Sequence, residues 1–510
     1  MLAKKHKNEY NFYIGRYKNM KKSLDNRKYL KLQSDKILER VSQFDDKLYI
    51  EFGGKMFDDH HATRVLRGFE LDSKVKVLQT LKKNVEMIIT ISAEDIQTGK
   101  MRQDVGLTYE DDVLRSLDKY EEYGLYVGGV VITRFAGQKL AMTFYQKLQN
   151  LGIKVYLHYP IMGYPHDIDF ILSENGFGKN DYIETTHPIV IVTGPGPGSG
   201  KMGTCLSQLY HENQRGIRAG YAKYETFPVW NLPLKHPVNL AYEAATADLN
   251  DVNMIDYYHL EAYGVSTVNY NRDLEAFPVL NEIFERIYGE SPYKSPTDMG
   301  VNMIGFALVD DAQACLDSKQ EIIRRYLDAC VYAKQGRFTG EAVEKLVRIM
   351  KELNLSVDDR KVVKAAMDRT NSKGVASVAM EIGHKMVYGK KSDLFTAPAA
   401  AIINALKTMA KLPKEMPLLS YSVIEPIRLL RHDMLKRSYR LHVNDVLNAL
   451  AITATTNEMA KAALSYLPKL RGVQMHSSAM MANDDLDILH KLGIEATMGT
   501  YQASKLLKEQ

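Results

Sequence analysis

The chain of 510 residues is poor in cysteine and has no long apolar run. Its three cysteines, Cys205, Cys315 and Cys330, show no C-x-x-C spacing, which argues against a disulfide framework and fits a reducing cytosol. No segment approaches the ~20 apolar residues that span a bilayer. The N-terminus also lacks the apolar core and cleavage site of a signal peptide. These absences predict a cytoplasmic protein with no membrane partner.

Positive and negative charges are nearly balanced over most of the chain. Residues 1–31 hold ten Lys and Arg against two acidic residues, whereas the whole chain carries a net charge of only +5. Residues 32–510 are therefore slightly acidic, which argues against a nucleic-acid partner. The basic residues 1–19 have no apolar pattern and end before Met20, which would also serve as a start codon. We predict that residues 1–19 form a flexible basic extension.

One glycine-rich segment indicates a phosphate-binding site. Residues Ile189–Lys201 (IVIVTGPGPGSGK) combine a buried type of strand, a glycine-rich turn and a lysine that begins a predicted helix, Lys201–Gln214. Backbone amides at such a turn and the positive end of the helix dipole bind phosphate. The alternative is a tight turn whose glycines serve only close packing. Because prolines carry no N–H, the predicted phosphate donors are Gly196, Gly198, Ser199, Gly200 and Lys201.

The turn departs from the P-loop pattern G-x-x-x-x-G-K-[ST] at two positions. Pro195 occupies the place of the first glycine, and Met202 follows the lysine where a hydroxyl normally holds Mg²⁺. Thr204 lies two residues further on and faces another side of the helix. We therefore expect an anion site with only weak dependence on Mg²⁺ and predict no metal site.

Short β-branched runs alternate with helical stretches in the first part of the chain. Because these runs are continuously apolar, they suit strands that are covered on both faces of a parallel sheet. The pattern predicts a mostly parallel, doubly wound α/β domain of P-loop or Rossmann type over residues 20–318. The predicted strands are Lys47–Phe52, Val85–Ser92, Leu125–Thr133, Ile153–Tyr159, Ile189–Thr193, Tyr221–Tyr224 and Val265–Tyr270.

The rest of the chain changes character twice. Residues 319–374 have an almost wholly helical pattern, which predicts a helical region. Residues 375–510 contain a predicted hairpin around Gly383 and end in a predicted strand–helix–strand segment. We interpret residues 375–510 as a smaller C-terminal α/β domain.

Further candidate residues follow from their positions after predicted strands, because α/β sheets bind ligands beyond the carboxyl ends of their strands. Lys55 follows Gly53-Gly54, and we expect it to approach the same anion as Lys201. Asp248, Asp256 and Asp298 are candidate catalytic or metal-positioning carboxylates, with ordinary surface carboxylates as the alternative.

A polar cluster at residues 58–61 follows the same strand. Adjacent Asp and His side chains rarely all face one ion. We therefore interpret Asp58 and Asp59 as caps of the next helix rather than as metal ligands.

Three motifs together resemble those of a known family. They are the phosphate turn, the EFGGK turn at residues 51–55 and the run WNLPLKHPVNLAYEAATADL at Trp230–Leu249. The chain resembles an uncharacterised family of bacterial proteins of roughly 500 residues, one of the domain-of-unknown-function families. The resemblance extends from Met20 to the C-terminus. It implies a bacterial cytosolic protein with a P-loop-like or Rossmann-like N-terminal domain and a separate C-terminal domain, and it implies no activity.

Some proteins of this family carry the label ATP-dependent peptidase, but the residues here argue against that activity. After His211-Glu212, Arg215 stands where H-E-x-x-H needs its second histidine. Ser199 has a proline at the first glycine position of G-x-S-x-G. We expect no peptidase.

The sequence favours a protein that binds a small phosphate-bearing ligand, either a nucleotide or a phosphorylated metabolite. If it is an enzyme, we expect a nucleotide-dependent transferase or hydrolase. The rival hypothesis is a non-catalytic sensor of a phosphorylated metabolite or an oligomeric scaffold with a degenerate loop, and Met202 favours this rival. The small residues of Ala397–Ala401 allow close helix contact inside the domain or in a homo-oligomer. The substrate and the reaction class stay open.

Overall fold

The computed structural model describes residues 21–57, 59–102, 105–249, 251–373 and 375–499. These residues divide into two compact units. The first holds the described residues of Met1–Glu243 and Asp251–Ser318, and the second holds those of Ala244–Asn250 and Lys319–Gln510. The basic extension predicted at residues 1–19 lies outside the described residues.

Short strands occur along the whole described chain. In order, they are β1 (Leu48–Phe52), β2 (Val85–Ser92), β3 (Met101–Arg102), β4 (Leu107–Thr108), β5 (Tyr126–Thr133), β6 (Val155–Leu157), β7 (Ile189–Thr193), β8 (Gly220–Tyr224), β9 (Asn253–Ile255), β10 (Val268–Tyr270), β11 (Gly300–Val301), β12 (Ser377–Ile382), β13 (Lys385–Lys390), β14 (Gln474–Ser477) and β15 (Glu495–Met498).

Helices connect most of these strands. In order, they are α1 (Asn26–Val41), α2 (His60–Val65), α3 (Ser73–Thr80), α4 (Ala93–Gln97), α5 (Tyr109–Glu122), α6 (Lys139–Asn150), α7 (Ile168–Ile171), α8 (Lys201–Gln214), α9 (Pro237–Ala245), α10 (Tyr257–Tyr263), α11 (Asn271–Tyr288), α12 (Pro296–Met299), α13 (Asp311–Lys334), α14 (Gly340–Glu352), α15 (Lys361–Lys373), α16 (Ala397–Met409), α17 (Tyr421–Leu429), α18 (Val443–Thr453), α19 (Glu458–Leu464) and α20 (Asn483–Lys491). None of the helices in the described ranges is both long enough and apolar enough to cross a membrane.

The first unit is built on a seven-stranded sheet in the order β11-β8-β1-β7-β2-β5-β6. All of its strand pairs are parallel, which confirms the predicted mostly parallel α/β fold. The chain moves outward through β2, β5 and β6 and then returns, so that β7 lies between β1 and β2. The turn after β7 is therefore flanked by the carboxyl ends of two neighbouring strands.

Helices cover both faces of the sheet, which explains why its strands are continuously apolar in sequence. On one face, the Tyr49 hydroxyl of β1 donates to the Glu212 carboxylate of α8 over 2.5 Å. On the other face, the Tyr224 hydroxyl of β8 lies 2.7 Å from the Tyr29 hydroxyl of α1. Both β1 and β8 are buried along their full length as a result.

One strand prediction needs correction, and one strand was not predicted. The strand expected at Val265–Tyr270 does not join the parallel sheet, because β10 pairs antiparallel with β9 in a separate two-stranded sheet. The place beside β8 is taken instead by β11, a two-residue strand that sequence patterns did not predict. So short a segment carries too few residues to show a period.

The second unit contains a four-stranded sheet in the order β13-β12-β14-β15. The predicted hairpin is confirmed, with Gly383 at a φ of +62° between β12 and β13. The predicted closing strand–helix–strand segment is also confirmed as β14, α20 and β15, the two strands pairing in parallel. Alanines of α16 allow close packing on β13, where a Cβ at Gly389 would lie only 2.4 Å from the backbone nitrogen of Ala401.

Candidate functional site at the carboxyl edge of the parallel sheet

The glycine-rich loop, residues 194–200, joins β7 to α8. The strand and the helix have the predicted bounds, Ile189–Thr193 and Lys201–Gln214. Gly198 and Gly200 have φ values of +76° and +93°, a region that residues with a Cβ rarely occupy. A Cβ at Gly200 would also lie 2.7 Å from the Thr133 side chain. The loop therefore needs glycine for both conformation and space.

Neighbouring strands hold the loop through its oxygen atoms. Thr90 Oγ1 of β2 lies 3.0 Å from Thr193 O and 3.1 Å from the hydroxyl of the fully buried Ser199. Thr133 Oγ1 of β5 donates to Ser199 O over 2.8 Å. The exposed Arg134 donates to Gly198 O over 2.6 Å. These bonds fix the loop without using its N–H groups.

The five predicted donor amides are open. Within the part of the chain that the structure describes, the N–H groups of these residues donate no hydrogen bond of standard geometry to another protein atom; they are Gly196, Gly198, Ser199, Gly200 and Lys201. The first N–H groups of a helix have no intrahelical acceptor, and the helix dipole adds a partial positive charge at the same place. The loop thus presents a group of unused donors at the beginning of a 14-residue helix.

Lys201 is a half-buried cation beside these amides. Its ammonium lies 3.3 Å from Gly196 O and 3.5 Å from Ser199 Oγ. Burial lowers the pKa of Lys201, and the negative charge of Glu51 partly opposes this effect. Across the described ranges, no carboxylate forms an ion pair with this ammonium. A negative ligand at the loop would therefore supply the missing counter-charge.

A buried network of charged side chains lies on the face of the sheet that carries α8 and Lys201. Glu51 of β1 pairs in register with Lys223 of β8 and with Val192 of β7, so these three side chains project to one side. Tyr49, two residues before Glu51, contacts α8, which places α8 on that side as well. The Tyr221 hydroxyl donates to Glu51 over 2.8 Å. The network and Lys201 consequently share one face.

Lys223 is the centre of this network. Its ammonium contacts the Tyr270 hydroxyl and lies 2.6 Å from Asp273 Oδ1 and 2.9 Å from Glu225 Oε1. The Tyr270 hydroxyl in turn donates to Glu225 Oε1 over 3.1 Å. All four side chains are buried. One ammonium therefore has two carboxylates to neutralise.

The excess of negative charge shifts the pKa values of Glu225 and Lys223. Burial raises the pKa of Glu225 to about 7, Lys223 lowers it and the negative charge of Asp273 adds to the rise. Burial alone would lower the pKa of Lys223, but Asp273 and Glu225 together raise it well above its usual value. Glu225 is thus a buried carboxyl group that can gain or lose a proton near neutral pH.

The sequence predictions did not include this network. Glu51 and Lys223 lie on neighbouring strands, Glu225 follows β8, and Tyr270 and Asp273 lie at the end of β10 and the start of α11, so only the tertiary fold brings them together. A signal was nevertheless present in the sequence. Glu51 and Lys223 interrupt otherwise buried strands, LYIEF and GYAKY, where a charge is costly unless it is paired.

The second predicted lysine lies on the neighbouring strand end. Lys55 is exposed and follows β1, which pairs directly with β7. Gly54 precedes it with a φ of +71°, and a Cβ there would lie 3.3 Å from the ammonium of the buried Lys74. That ammonium pairs with Asp59 over 2.8 Å. The prediction that Lys55 and Lys201 meet one anion stays a prediction.

The polar cluster after β1 begins a helix, as the sequence indicated. Asp59 caps α2, and its carboxylate accepts from the Ala62 N–H over 3.1 Å. Asp58 lies outside the described residues.

The three candidate carboxylates have different surroundings. Asp256 is fully buried, and its oxygens accept from the N–H groups of His259 and Thr297 and from the Thr297 hydroxyl. Asp298 accepts from the Lys294 N–H and from the hydroxyl of Tyr263. Both carboxylates therefore serve local structure.

Asp248 differs from the other two. It is exposed on a single turn, Ala247–Leu249, which belongs to the second unit. A catalytic role for any of the three stays a prediction.

Two family models together cover almost the whole chain. The one described as "Domain of unknown function DUF1846, N-terminal" matches residues 22–354, and "Domain of unknown function DUF1846, C-terminal" matches residues 358–507. The chain is similar to the UPF0371 protein str1377 of Streptococcus thermophilus strain CNRZ 1066, with 52% identity over 492 residues, 96% of this chain and 100% of the relative. It is also similar to a UPF0371 protein of Streptococcus pneumoniae strain CGSP14, with 52% identity over 483 residues, 94% of this chain and 98% of the relative.

Proposed function

Since this chain belongs to the uncharacterised bacterial family DUF1846, or UPF0371, whose names assign no activity, we propose from its own residues that it binds a phosphate-bearing small molecule at the loop between β7 and α8. The observation that carries the proposal is the set of five open amides around Lys201, a cation without an ion-pair partner among the described residues. The two oxygens of a carboxylate offer about four acceptor sites, whereas a phosphate group has additional oxygens and can accept more hydrogen bonds at once. The number of donors therefore favours phosphate.

The ligand we propose is a nucleotide or a phosphorylated metabolite. In this proposal, the amides bind the phosphate oxygens and Lys201 neutralises their charge. Charge-assisted hydrogen bonds of this kind contribute roughly 1.5–3 kcal/mol each. Lys55, at the end of the adjacent strand, is a second contact for a larger anion.

The proposal extends to catalytic turnover of the bound ligand. The network of Lys223, Glu225, Tyr270 and Asp273 lies on the face that carries α8, and it includes a carboxyl group that titrates near neutral pH. A group with such a pKa suits general acid–base catalysis. This network supports a transferase or hydrolase that acts on the bound phosphate compound.

The second candidate function is a sensor that binds the same ligand without turning it over. Met202 favours it, because a thioether is a poor ligand for the Mg²⁺ that assists phosphoryl transfer in P-loop enzymes. The two candidates differ in one measurement. Only the enzyme releases product when the full chain is incubated with the ligand that stabilises it.

Substitution of Lys201 tests the binding proposal. The full chain is titrated calorimetrically with inorganic phosphate, ATP and a panel of sugar phosphates, and melting temperatures are recorded in parallel. Lys201→Ala should weaken the best ligand at least tenfold, about 1.4 kcal/mol. Since Lys201 is partly desolvated and has no ion-pair partner in the described chain, the melting temperature of the ligand-free protein should hardly change.

Lys139→Ala is the matched control. Lys139 is also the first residue of a helix, α6, but it is exposed and no glycine-rich turn precedes it. This variant should bind like the wild type. The proposal fails if the wild type binds nothing in the panel, or if Lys201→Ala retains full affinity.

A further inference from the structure

We propose that His236, Asp311 and Cys315 form a binding site for a divalent cation of the zinc class. The His236 Nε2 atom lies 3.0 Å from Asp311 Oδ1 and 3.4 Å from Cys315 Sγ. The thiol sulfur lies 4.0 Å from Asp311 Oδ2. One nitrogen, one oxygen and one sulfur ligand atom are thus grouped within 4.8 Å of one another.

These separations suit the edges of a tetrahedron around one ion. With Zn–N and Zn–O distances of about 2.0–2.2 Å and a Zn–S distance of about 2.3 Å, tetrahedral angles place neighbouring ligand atoms roughly 3.3–3.6 Å apart. The separations of His236 Nε2 from Asp311 Oδ1 and from Cys315 Sγ, 3.0 and 3.4 Å, lie within about half an ångström of these edges, whereas the 4.0 Å separation joins the thiol to the other carboxylate oxygen. We expect the Asp311 side chain to rotate when the ion binds, so that one oxygen faces both other ligand atoms.

The backbone brings the three ligands together from two rigid segments. Asp311 and Cys315 are separated by one turn of α13, so they project on the same side of the helix. His236 immediately precedes α9 and lies between Pro233 and Pro237, and its own N–H donates to Pro233 O over 3.0 Å. The prolines restrict the backbone on both sides of the histidine.

The ligand chemistry selects the class of metal. A thiolate, an imidazole and a carboxylate form the mixed soft and borderline set that zinc accepts, whereas Mg²⁺ and Ca²⁺ prefer oxygen alone. The thiolate and the carboxylate together carry two negative charges, which balance a divalent cation. The Asp311 side chain is 61% exposed, so the fourth position is open to water or to a substrate.

The proton balance of binding is defined by the hydrogen bonds of His236. Its Nδ1 accepts from the Val238 N–H over 3.3 Å, which leaves the ring proton on Nε2, facing Asp311. When the cation binds Nε2, that proton moves to Nδ1 and the thiol proton of Cys315 leaves to solvent. The contact to Val238 is lost, and at 3.3 Å it is longer than most N–H hydrogen bonds.

Cobalt(II) is the probe, because it replaces zinc and reports a thiolate ligand by its charge-transfer absorption. The metal-free full chain is titrated with Co²⁺ and then with Zn²⁺ in competition. We expect one Co²⁺ per chain, a tetrahedral spectrum with a sulfur charge-transfer band, and complete displacement by Zn²⁺.

Three variants identify the ligands. Cys315→Ala should abolish the sulfur band, and Asp311→Asn should weaken binding at least tenfold. His236→Asn should also weaken binding at least tenfold while its side chain still caps α9, since asparagine is a good N-cap residue. This variant keeps the test decisive if Cys315→Ala fails to fold.

Cys330→Ala is the matched control, because Cys330 is a buried thiol on the same helix outside the cluster. It should titrate like the wild type. The inference is overturned if the wild type gives no sulfur band, if the band persists in Cys315→Ala, or if it disappears in Cys330→Ala.

Discussion

Glu225 shows how a single buried residue acquires unusual chemistry from its neighbours. It shares the Lys223 ammonium with Asp273 and receives a hydrogen bond from Tyr270. Because one positive charge cannot neutralise two carboxylates, one of them retains its proton to higher pH. Removal from water favours the protonated form further, and the pKa of Glu225 rises to about 7. The carboxyl group thereby keeps a proton under conditions in which an exposed glutamate has lost it.

This pKa predicts a pH dependence of stability. The folded chain binds the Glu225 proton more tightly than the unfolded chain, in which a glutamate has a pKa of about 4.3. The stabilisation is complete below that value and is lost as pH rises through about 7. Glu225→Gln carries no titrating proton, so its stability should not show this loss. Between pH 5 and pH 8, the free energy of unfolding of the wild type should fall relative to the variant by on the order of 2 kcal/mol.

Melting temperatures of both proteins across this pH range provide the measurement. Glu290→Gln is the control, since Glu290 is exposed, and it should follow the wild type. Parallel pH profiles for the wild type and Glu225→Gln would contradict the assignment.

Met202 leads to a second prediction at the residue scale. In P-loop enzymes a hydroxyl after the lysine holds the metal that bridges the phosphates, and here a thioether stands in its place. We expect the affinity for ATP to change less than tenfold, about 1.4 kcal/mol, when Mg²⁺ is added to protein that was previously freed of metal. Calorimetric titration measures the change. A larger gain would mean that carboxylates supply the missing ligand, and Met202→Thr should then raise the metal dependence further.

The strand–loop–helix segment of β7, the glycine-rich loop and α8 combines a loop held by neighbouring strands with open N–H donors. The strand is buried, hydroxyls from β2 and β5 hold the loop oxygens, and the helix begins without a side-chain cap. At many helices a side chain at the N-cap accepts a hydrogen bond from one of the first N–H groups. This helix leaves them open, which is the arrangement found at anion sites.

Two glycines of this strand–loop–helix segment give a matched pair of variants. Gly200→Ala places a Cβ at a φ of +93° and within 2.7 Å of Thr133, so we expect a loss of about 2 kcal/mol in stability and of phosphate-ligand binding. Gly203→Ala places a Cβ with nothing within 4 Å inside α8, and should stabilise the protein by up to about 1 kcal/mol. Chemical denaturation and ligand titration of both variants measure these effects. Equal behaviour of the two would show that the loop conformation is not required.

The chain holds two compact units, and its family match begins near its N-terminus. The N-terminal family domain begins at residue 22. Shortly afterwards the chain makes described contacts: Ser23 and Leu24 are fully buried, and their N–H groups donate to Arg67 O over 2.8 and 3.0 Å. Folding of the first unit therefore involves the chain from this point onward.

These contacts predict where the chain can be shortened. A chain that begins at Met20 keeps them and should match the full chain in melting temperature and in the oligomeric state measured by light scattering. A chain that begins at Asn26 loses the burial of Leu24, roughly 1.5–3 kcal/mol, and also the Asp25 cap of α1. Its melting temperature should fall by roughly 2 °C or more. A similar fall for the Met20 chain would show that residues 1–19 are docked on the folded protein.

Most elements of the chain, though not the two-residue β11, could be predicted from local sequence patterns. The strand Ile189–Thr193, the helix Lys201–Gln214 and the hairpin at Gly383 all depend on local patterns: β-branched runs, helical spacing and glycine at a turn. These preferences act over a few residues, so the sequence displays them directly. The candidate donor loop could be identified for the same reason.

The meeting of residues that are distant in sequence could be read from the fold alone. The fold placed β7 between β1 and β2, and this order puts Glu51, Lys223 and Lys201 on one face. It also brought His236 to Asp311 and Cys315, although 74 residues separate the histidine from the aspartate. Neighbours in a sheet are chosen by packing of buried surface over the whole unit, and no local pattern records that choice. The loop could therefore be predicted from the sequence, whereas the charged network and the proposed metal cluster could be identified only from the fold.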